Sequence, residues 1–162
     1  MEMNKSIFTT VATLALLSIL LGGCGDLFEK DDRTFDGEKQ VEFDPATATV
    51  DERADQSDSP VAVSVAVNLI SPQGTAQSEQ NINFVVDDSS TAVAGDHYTL
   101  ADSSPLTIPQ GETSTSMQVD VTADNLDDGE VRTLYITLQG NDEVRGAGNY
   151  DTLTLNILGV TD

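Results

Sequence analysis

Cysteine and histidine are almost missing from this chain of 162 residues, which has one of each. Cys24 therefore has no intrachain disulfide partner, and the chain offers no second thiolate for a metal site. His97 also stands alone, which excludes a zinc site built from two histidines of one chain. Chemistry that depends on paired sulfurs or clustered imidazoles is therefore excluded.

Positive charge is the second scarcity. The sequence contains seven lysine and arginine residues and 28 aspartate and glutamate residues, so the formal charge is −21. After Lys39 the cations are Arg53, Arg132 and Arg145. Proteins bind nucleic acid by replacing phosphate counterions with such cations, so no nucleic acid partner is expected. Electrostatic docking of the domain onto anionic lipid is disfavoured for the same reason.

The excess of acid has three interpretations, which the sequence leaves open. A solvated, self-repelling surface would keep the domain soluble. In a salty habitat, screening would relieve that repulsion. Clustered carboxylates could instead hold a hard cation such as calcium.

Aromatic residues and catalytic signatures are scarce too. Tryptophan is absent, and three tyrosines and five phenylalanines make an aromatic platform for sugars hard to assemble. The sequence has no G-x-S-x-G elbow and no phosphate-cradling glycine loop. Asp96 and His97 are neighbours, and neighbouring strand residues point to opposite faces, so they make a poor catalytic pair. The chain is predicted not to be an enzyme, although composition leaves open a pair of carboxylates for glycoside chemistry.

The amino terminus carries the most specific motif. An uncharged, mostly apolar run over residues 7–21 leads into Leu21-Gly22-Gly23-Cys24. This is the order of a secretory signal, and the last four residues resemble the lipobox of bacterial lipoproteins. Fifteen residues rise about 22 Å as a helix, short of a hydrocarbon core of ~30 Å. Residues 1–23 are therefore predicted to be a signal peptide, with lipid on Cys24 anchoring the protein to the outer membrane of the cell envelope.

The segment after the cysteine is predicted to be a flexible acidic tether. Residues 24–39 are polar and charged and lack a sustained period. Within them, Lys30-Asp31-Asp32 resembles the export signals of surface lipoproteins in some Gram-negative bacteria. Exposure at the cell surface is one interpretation of this stretch, and a solvated linker is the other.

Apolar and polar residues alternate from residue 40 onward, which predicts antiparallel strands with one wet face. The alternating runs are 41–43 with 48–50, 61–69, 82–86, 106–108, 115–121, 134–138 and 153–157. Turn-rich segments separate them, and no apolar stripe of helical period lasts three turns. About seven short strands over residues 40–162 predict an all-β, immunoglobulin-like antiparallel sandwich.

Several of these segments carry a family resemblance. The most specific are TAVAGDHY (Thr91–Tyr98) and LTIPQGET (Leu106–Thr113), and the acidic stretch Asp124–Glu130 follows them. In this order they resemble a Calx-beta domain, the sandwich of sodium–calcium exchangers and of many bacterial surface proteins. The resemblance covers nearly all of the chain after the signal, and it implies calcium-binding loops at one end of the sandwich.

Calcium is the cofactor that this resemblance implies. Carried over residue by residue, the candidate ligands are Glu52, Asp96, Asp124, Asp127, Asp128 and Glu130. The sequence departs from the family after the last strand, where Gly159-Val160-Thr161-Asp162 stands in place of an acidic cluster. The stretch Asp124–Glu130 is not an EF-hand, because Leu126 falls where a ligand belongs and no helix is predicted beside it.

Three functions are compatible with these observations. The first is a membrane-anchored, non-catalytic binding or adhesion module that contacts a protein or a glycan, with calcium stiffening its loops. The second is a structural subunit of an outer-membrane complex, without calcium. The third and weakest is a glycan-processing accessory protein.

Overall fold

A computed structural model describes residues 37–52 and 60–159, and in these ranges it contains strands and turns but no helix. The signal peptide, Cys24 and Lys30-Asp31-Asp32 lie outside the described residues. The strands are β1 (Gln40–Asp44), β2 (Thr47–Glu52), β3 (Val61–Ile70), β4 (Gln80–Val86), β5 (Tyr98–Leu100), β6 (Leu106–Ile108), β7 (Ser114–Val121), β8 (Val131–Gly140), β9 (Arg145–Gly146) and β10 (Thr152–Gly159). The prediction of an all-β chain is confirmed.

The strands form two five-stranded sheets. One has the order β5-β7-β3-β1-β9, and the other has the order β2-β10-β8-β4-β6. Alternate residues of each sheet are buried, among them Val65 and Met117 in the first sheet and Leu134 and Leu155 in the second. Each fully buried aliphatic side chain stabilises the fold by about 2 kcal/mol. The core therefore lies between the sheets, as the sandwich prediction requires.

The first strand differs from its prediction. The sequence indicated one broken strand over 41–50, whereas the structure divides it between the sheets: β1 pairs with β3, and β2 pairs with β10. Pro45 lies between them and has no backbone N–H to continue the ladder, which favours a break at this point. Two pairings in the structure are parallel. Strand β1 runs parallel to β9, and β2 runs parallel to β10. The remaining pairs are antiparallel.

Strands β5 and β9 are also additions to the predicted set. They contain three and two residues, so neither is long enough to display an alternating pattern.

The connections between strands gather at two ends of the sandwich. The acidic-loop end comprises connections 87–97 and 122–130, together with the ends of β2 and β10. The amide end comprises connections 71–79, 109–113 and 141–144. Both ends are used below under these names.

Within residues 37–52 and 60–159 there is no helix of sufficient length and apolar character to cross a membrane.

Candidate functional site

Four of the predicted calcium ligands lie in the connection between β7 and β8. Its turn is closed by a hydrogen bond from the Glu130 N–H to the Asp127 carbonyl, at 2.8 Å. A second hydrogen bond joins the same two residues, because Glu130 Oε2 accepts the Asp127 N–H at 3.1 Å. Gly129 has a φ of 76°, a left-handed conformation that glycine adopts without strain. The connection is therefore an ordered turn in which the Glu130 carboxylate accepts a backbone hydrogen bond. Asp124 and Asp128 belong to the same connection.

The end of β10 fastens this turn to the second sheet. The Gly129 N–H donates to the Gly159 carbonyl at 2.9 Å, and the Gly159 N–H donates to the Glu130 carbonyl at 2.8 Å. Gly159 is also the Cα partner of Glu52 in the pairing of β10 with β2. The backbone of Glu52 therefore lies at the same end of the sandwich, while its side chain lies outside the description.

Asp96 lies in the other connection of the acidic-loop end. Its N–H and that of His97 both donate to the Val93 carbonyl, at 3.2 and 2.8 Å. The His97 ring holds this loop from inside, because Nδ1 accepts the Val93 N–H at 3.0 Å and the residue is buried. The His97 carbonyl accepts the Thr122 N–H at 2.9 Å, which brings the loop to the start of connection 122–130. His97 is therefore a loop-holding residue whose Nδ1 is already occupied.

The described residues do not fit a calcium ion. Calcium takes six to eight oxygen ligands, mostly carboxylate and carbonyl groups. Among the described side chains, which do not include that of Glu52, no group of three or more acidic, histidine or cysteine side chains is placed to hold a metal ion. A cation of the protein is present instead, because Arg132 Nη2 lies 2.5 Å from Glu130 Oε1. The fold brings Asp96, Asp124, Asp127, Asp128 and Glu130 to one end of the sandwich, and their role as calcium ligands stays a prediction.

Asp87 also lies at the acidic-loop end and has a shifted pKa. Hydrogen bonds from the Ser89 hydroxyl and from the Ser89 backbone lower the pKa of the Asp87 carboxyl. The backbone contact joins the Ser89 N–H to Asp87 Oδ1 at 2.8 Å. Such hydrogen bonds favour the charged form of a carboxylate.

The outer face of the β2-β10-β8-β4-β6 sheet has an unusual composition. Its outward positions carry almost exclusively hydroxyl, amide and small apolar side chains, and Asp51 at the margin is the one charged residue among them. They are Thr47, Thr49, Asp51, Asn81, Asn83, Val85, Thr107, Val131, Thr133, Tyr135, Thr137, Gln139, Thr152, Thr154, Asn156 and Leu158. We name this surface the hydroxyl–amide face. The outer face of the other sheet carries three carboxylates, on Glu42, Asp44 and Asp120.

Cross-strand hydrogen bonds order the side chains of the hydroxyl–amide face. Thr133 Oγ1 donates to Asn156 Oδ1 at 3.0 Å, and the Thr137 and Thr152 hydroxyls are 3.1 Å apart. Tyr135 lies between these two pairs on β8, the central strand of the sheet. The face is therefore a largely polar surface with little charge, and it has one aromatic residue, Tyr135, on its central strand.

Comparison with known proteins assigns the fold to a family. The model of the Calx-beta domain matches residues 35–158. The chain belongs to the Calx-beta family. No curated protein is similar enough in sequence to count as a match.

Solved structures share the fold of this Calx-beta domain. The apo form of a Calx CBD1 domain matches with a TM-score of 0.58 and 21% identity, over 76% of this chain and 98% of that one. The calcium-binding domain CBD12 of CALX1.1 matches with a TM-score of 0.55 and 21% identity, over 74% and 45%. A protein of Bacteroides ovatus, described as a candidate carbohydrate-binding protein, matches with a TM-score of 0.55 and 11% identity, over 75% and 37%.

Sequence reasoning missed the hydroxyl–amide face of this Calx-beta domain. The alternation that predicted the strands also placed Thr133, Tyr135 and Thr137 on one side of β8 and Thr152, Thr154 and Asn156 on one side of β10. The missing step was the register that sets these strands side by side, in which Thr154 lies opposite Tyr135. Residue identity was available from the sequence, whereas adjacency was not.

Proposed function

We propose that this Calx-beta domain is a non-catalytic binding module, anchored by lipid to the bacterial cell envelope, that binds a neutral glycan through the hydroxyl–amide face. The observation that carries the proposal is the near-absence of charge from this face in a chain of charge −21. A surface of threonine, asparagine and glutamine side chains offers both donors and acceptors. Sugar hydroxyls both donate and accept hydrogen bonds, so they are complementary to such a surface. A neutral ligand also needs no charged partner on the protein.

The geometry of the face suits an extended ligand. Neighbouring strands of a sheet lie about 4.8 Å apart, and side chains on one face of a strand recur about every 7 Å. A grid of this spacing is formed by Thr133, Tyr135 and Thr137 on β8 and by Asn156, Thr154 and Thr152 on β10. Hydrogen bonds within the first and the last of these cross-strand pairs restrict their rotamers. Ordered side chains lose less conformational entropy on binding than mobile ones. Tyr135 provides the apolar surface on which one sugar ring can stack.

The structural neighbours give this proposal limited support. The Bacteroides ovatus protein with the same fold is described as a candidate carbohydrate-binding protein, and its identity to this chain is 11%. The fold is therefore compatible with glycan binding, and the face of this chain provides the specific argument.

Paired arginine substitutions test the proposal. Thr154→Arg places a bulky side chain at the centre of the hydroxyl–amide face, and Ser64→Arg makes the same change of charge on the outer face of the other sheet. In gel electrophoresis through neutral polysaccharides, we expect retardation of the wild type and of Ser64→Arg, and at least a tenfold weaker effect for Thr154→Arg. Equal retardation of both variants, or none for the wild type on any polysaccharide, would refute glycan binding through this face.

A structural subunit of an outer-membrane complex is the second candidate. Strand β2 favours it, because it lies at the margin of its sheet and pairs with β10 along one side. A partner strand could extend the sheet there by backbone hydrogen bonding. Co-purification of a stoichiometric protein after mild detergent extraction, together with no retardation by polysaccharides, would favour this candidate. The third candidate, a glycan-processing accessory protein, would require measured turnover of glycosides.

The anchoring part of the proposal rests on the sequence motif at Cys24. Stable attachment to a bilayer takes more than one acyl chain, which lipoprotein modification of a cysteine supplies. Cys24→Ala should abolish incorporation of radiolabelled fatty acid and leave the signal peptide attached. A variant that still incorporates the label would contradict lipidation at this residue. If Lys30-Asp31-Asp32 directs export, replacing all three residues by alanine should remove surface accessibility to protease while lipid labelling persists.

Calcium is the remaining ligand to consider. The calcium-binding domain of CALX1.1 shares the fold, and the predicted ligands of this chain do gather at the acidic-loop end. The described side chains there do not converge on one point, and one of them is paired with arginine. We therefore do not include calcium in the proposed binding function.

A further inference from the structure

Arg132 occupies an unexpected position in β8. The inward residues of this strand are Leu134, Ile136 and Leu138, all buried, and Arg132 continues the same face toward the acidic-loop end. Its Cα partner on β10 is Ile157, which is fully buried. The aliphatic part of an arginine side chain can cover apolar surface while its head reaches polar groups. Arg132 therefore stands at the edge of the core, where the alternating pattern would place an apolar residue.

The guanidinium of Arg132 joins the core to the acidic loop. Nη2 contacts Glu130 Oε1 at 2.5 Å, and the other carboxylate oxygen of Glu130 accepts the Asp127 N–H. Both oxygens of Glu130 are therefore engaged, one by a cation and the other by the backbone of the turn. Arg132 Nε is buried and has no hydrogen-bond partner among the described residues. The guanidinium is therefore partly covered by the surrounding fold, and 40% of the Arg132 side chain stays exposed.

The Arg132 guanidinium would compete with a bound metal ion for the Glu130 carboxylate. A divalent ion that used Glu130 as a ligand would have to approach the guanidinium closely, and like charges repel. It would also have to displace the Asp127 N–H or share an oxygen with it. Arginine remains charged at all pH values that the protein encounters, so this counter-ion cannot be lost by titration.

We propose that the Arg132 guanidinium is the built-in counter-ion of the acidic-loop end, and that this end closes without a calcium ion. A solved structure named as a calcium-binding domain shares this fold, whereas the cation proposed to stabilise the acidic-loop end of this chain is one of its own side chains. The proposal does not depend on glycan binding, since the hydroxyl–amide face lies on the outside of the sheet.

Arg145 provides a matched control for the test. Its Nη2 also lies 2.5 Å from a carboxylate oxygen, that of Glu38, but these side chains are 64% and 69% exposed. Those of Arg132 and Glu130 are 40% and 29% exposed. Exposed ion pairs contribute little to stability because solvent screens them. Arg145→Gln and Arg132→Gln therefore remove the same charge from an exposed pair and from a half-buried one.

Thermal unfolding of the full chain in detergent, at constant ionic strength, decides the proposal. We expect calcium chloride to move the wild-type midpoint no more than magnesium chloride does, and chelator to leave it unchanged. Arg132→Gln should lower the midpoint by several degrees, Arg132→Lys by less, and Arg145→Gln by about one degree or less. A calcium-specific rise of the wild-type midpoint would overturn the proposal, and so would equal effects of Arg132→Gln and Arg145→Gln. The wild-type measurement remains decisive if Arg132→Gln does not fold, and polysaccharide retardation of the wild type reports separately on the proposed function.

Discussion

The two ends of the sandwich are closed by different chemistry. At the acidic-loop end, the Arg132–Glu130 ion pair and backbone bonds to Gly159 hold the turn. At the amide end, the side chain of Asn141 holds the turn. Its Oδ1 accepts hydrogen bonds from the N–H groups of Glu143 and Val144, both at 2.8 Å. Its Nδ2 donates to the Asn81 carbonyl at 3.1 Å. Ion pairs weaken as salt screens them, whereas hydrogen bonds between neutral groups do not. The amide end also carries an ion pair, Lys39–Glu143, whose Glu143 side chain is 62% exposed. The Asn141 hydrogen bonds and the Arg132–Glu130 pair should therefore differ in their response to salt.

The amide end also contains an open cleft of about 380 Å³, lined by four amide residues, three acidic residues and a serine: Gln80, Asn81, Asn83, Asn141, Glu79, Asp142, Glu143 and Ser78. These amides are largely engaged with one another and with the backbone, since Asn83 Nδ2 donates to the Gly140 carbonyl and Asn141 Nδ2 to Gln80 Oε1. The cleft is thus the outer surface of the closure. This supports the interpretation of the amide end as a structural element.

The largest effect is expected at Gly140, which ends β8 at the amide end. Its φ is 70°, and a Cβ added there would lie 2.0 Å from the Val144 carbonyl oxygen. Left-handed strain and the clash together should make Gly140→Ala cost about 3 kcal/mol or more of the free energy of unfolding. Urea unfolding measures this loss. Gly148→Ala is the control, because no atom lies within 4 Å of its added Cβ, and it should unfold like the wild type. Equal stability of both variants would show that the amide end does not need its tight turn.

Gly159 is the corresponding residue of the acidic-loop end. Its added Cβ would lie 2.4 Å from the Asp127 carbonyl oxygen and 2.6 Å from Leu126 Cβ. Because Gly159 does not share the left-handed φ of Gly140, Gly159→Ala should cost less than Gly140→Ala, about 2 kcal/mol. Hydrogen exchange should localise the damage, with faster exchange of the Gly129 N–H and unchanged exchange of the Val144 N–H. Global acceleration at both ends would mean that the two closures are not independent.

Alternation of side chains was sufficient to predict the fold from the sequence, because one wet face and one dry face leave a clear period in Val61–Leu69 or Leu134–Leu138. The division of the first strand was not predictable, since membership of one sheet or the other depends on partners far along the chain. The family resemblance placed the candidate ligands in loops at one end of the sandwich, and connections 87–97 and 122–130 do share one end. Their individual geometry depends on the turn backbone and on Arg132, whose pairing with Glu130 the alternating pattern of β8 does not reveal.

Asn141 tests the neutral hydrogen bonds of the amide end. Asn141→Ala leaves the N–H groups of Glu143 and Val144 without their acceptor, at a cost of about 1–2 kcal/mol. Because no charge is involved, we expect this loss to be the same in low and high sodium chloride. Glu130→Gln at the other end should cost less, and its cost should shrink as salt rises. Denaturant unfolding at two ionic strengths gives both differences. A salt-dependent penalty for Asn141→Ala would remove the contrast between the ends.

The smallest expected effect is a pH response at Asp87, which again distinguishes the acidic-loop end. The Ser89 hydroxyl and then the Ser89 N–H lower the pKa of the Asp87 carboxyl. A carboxyl with a depressed pKa in the folded state stabilises the fold above its unfolded pKa, and this contribution is lost as pH falls through the folded value. Carboxyl titration by nuclear magnetic resonance should therefore place the Asp87 midpoint below that of an unfolded aspartate. Ser89→Ala should raise the midpoint part of the way, because it removes the hydroxyl and keeps the backbone donor at 2.8 Å. If Asp87 titrates in the wild type as it does in the unfolded chain, the two Ser89 contacts do not persist in solution, and this turn contributes no pH dependence to the acidic-loop end.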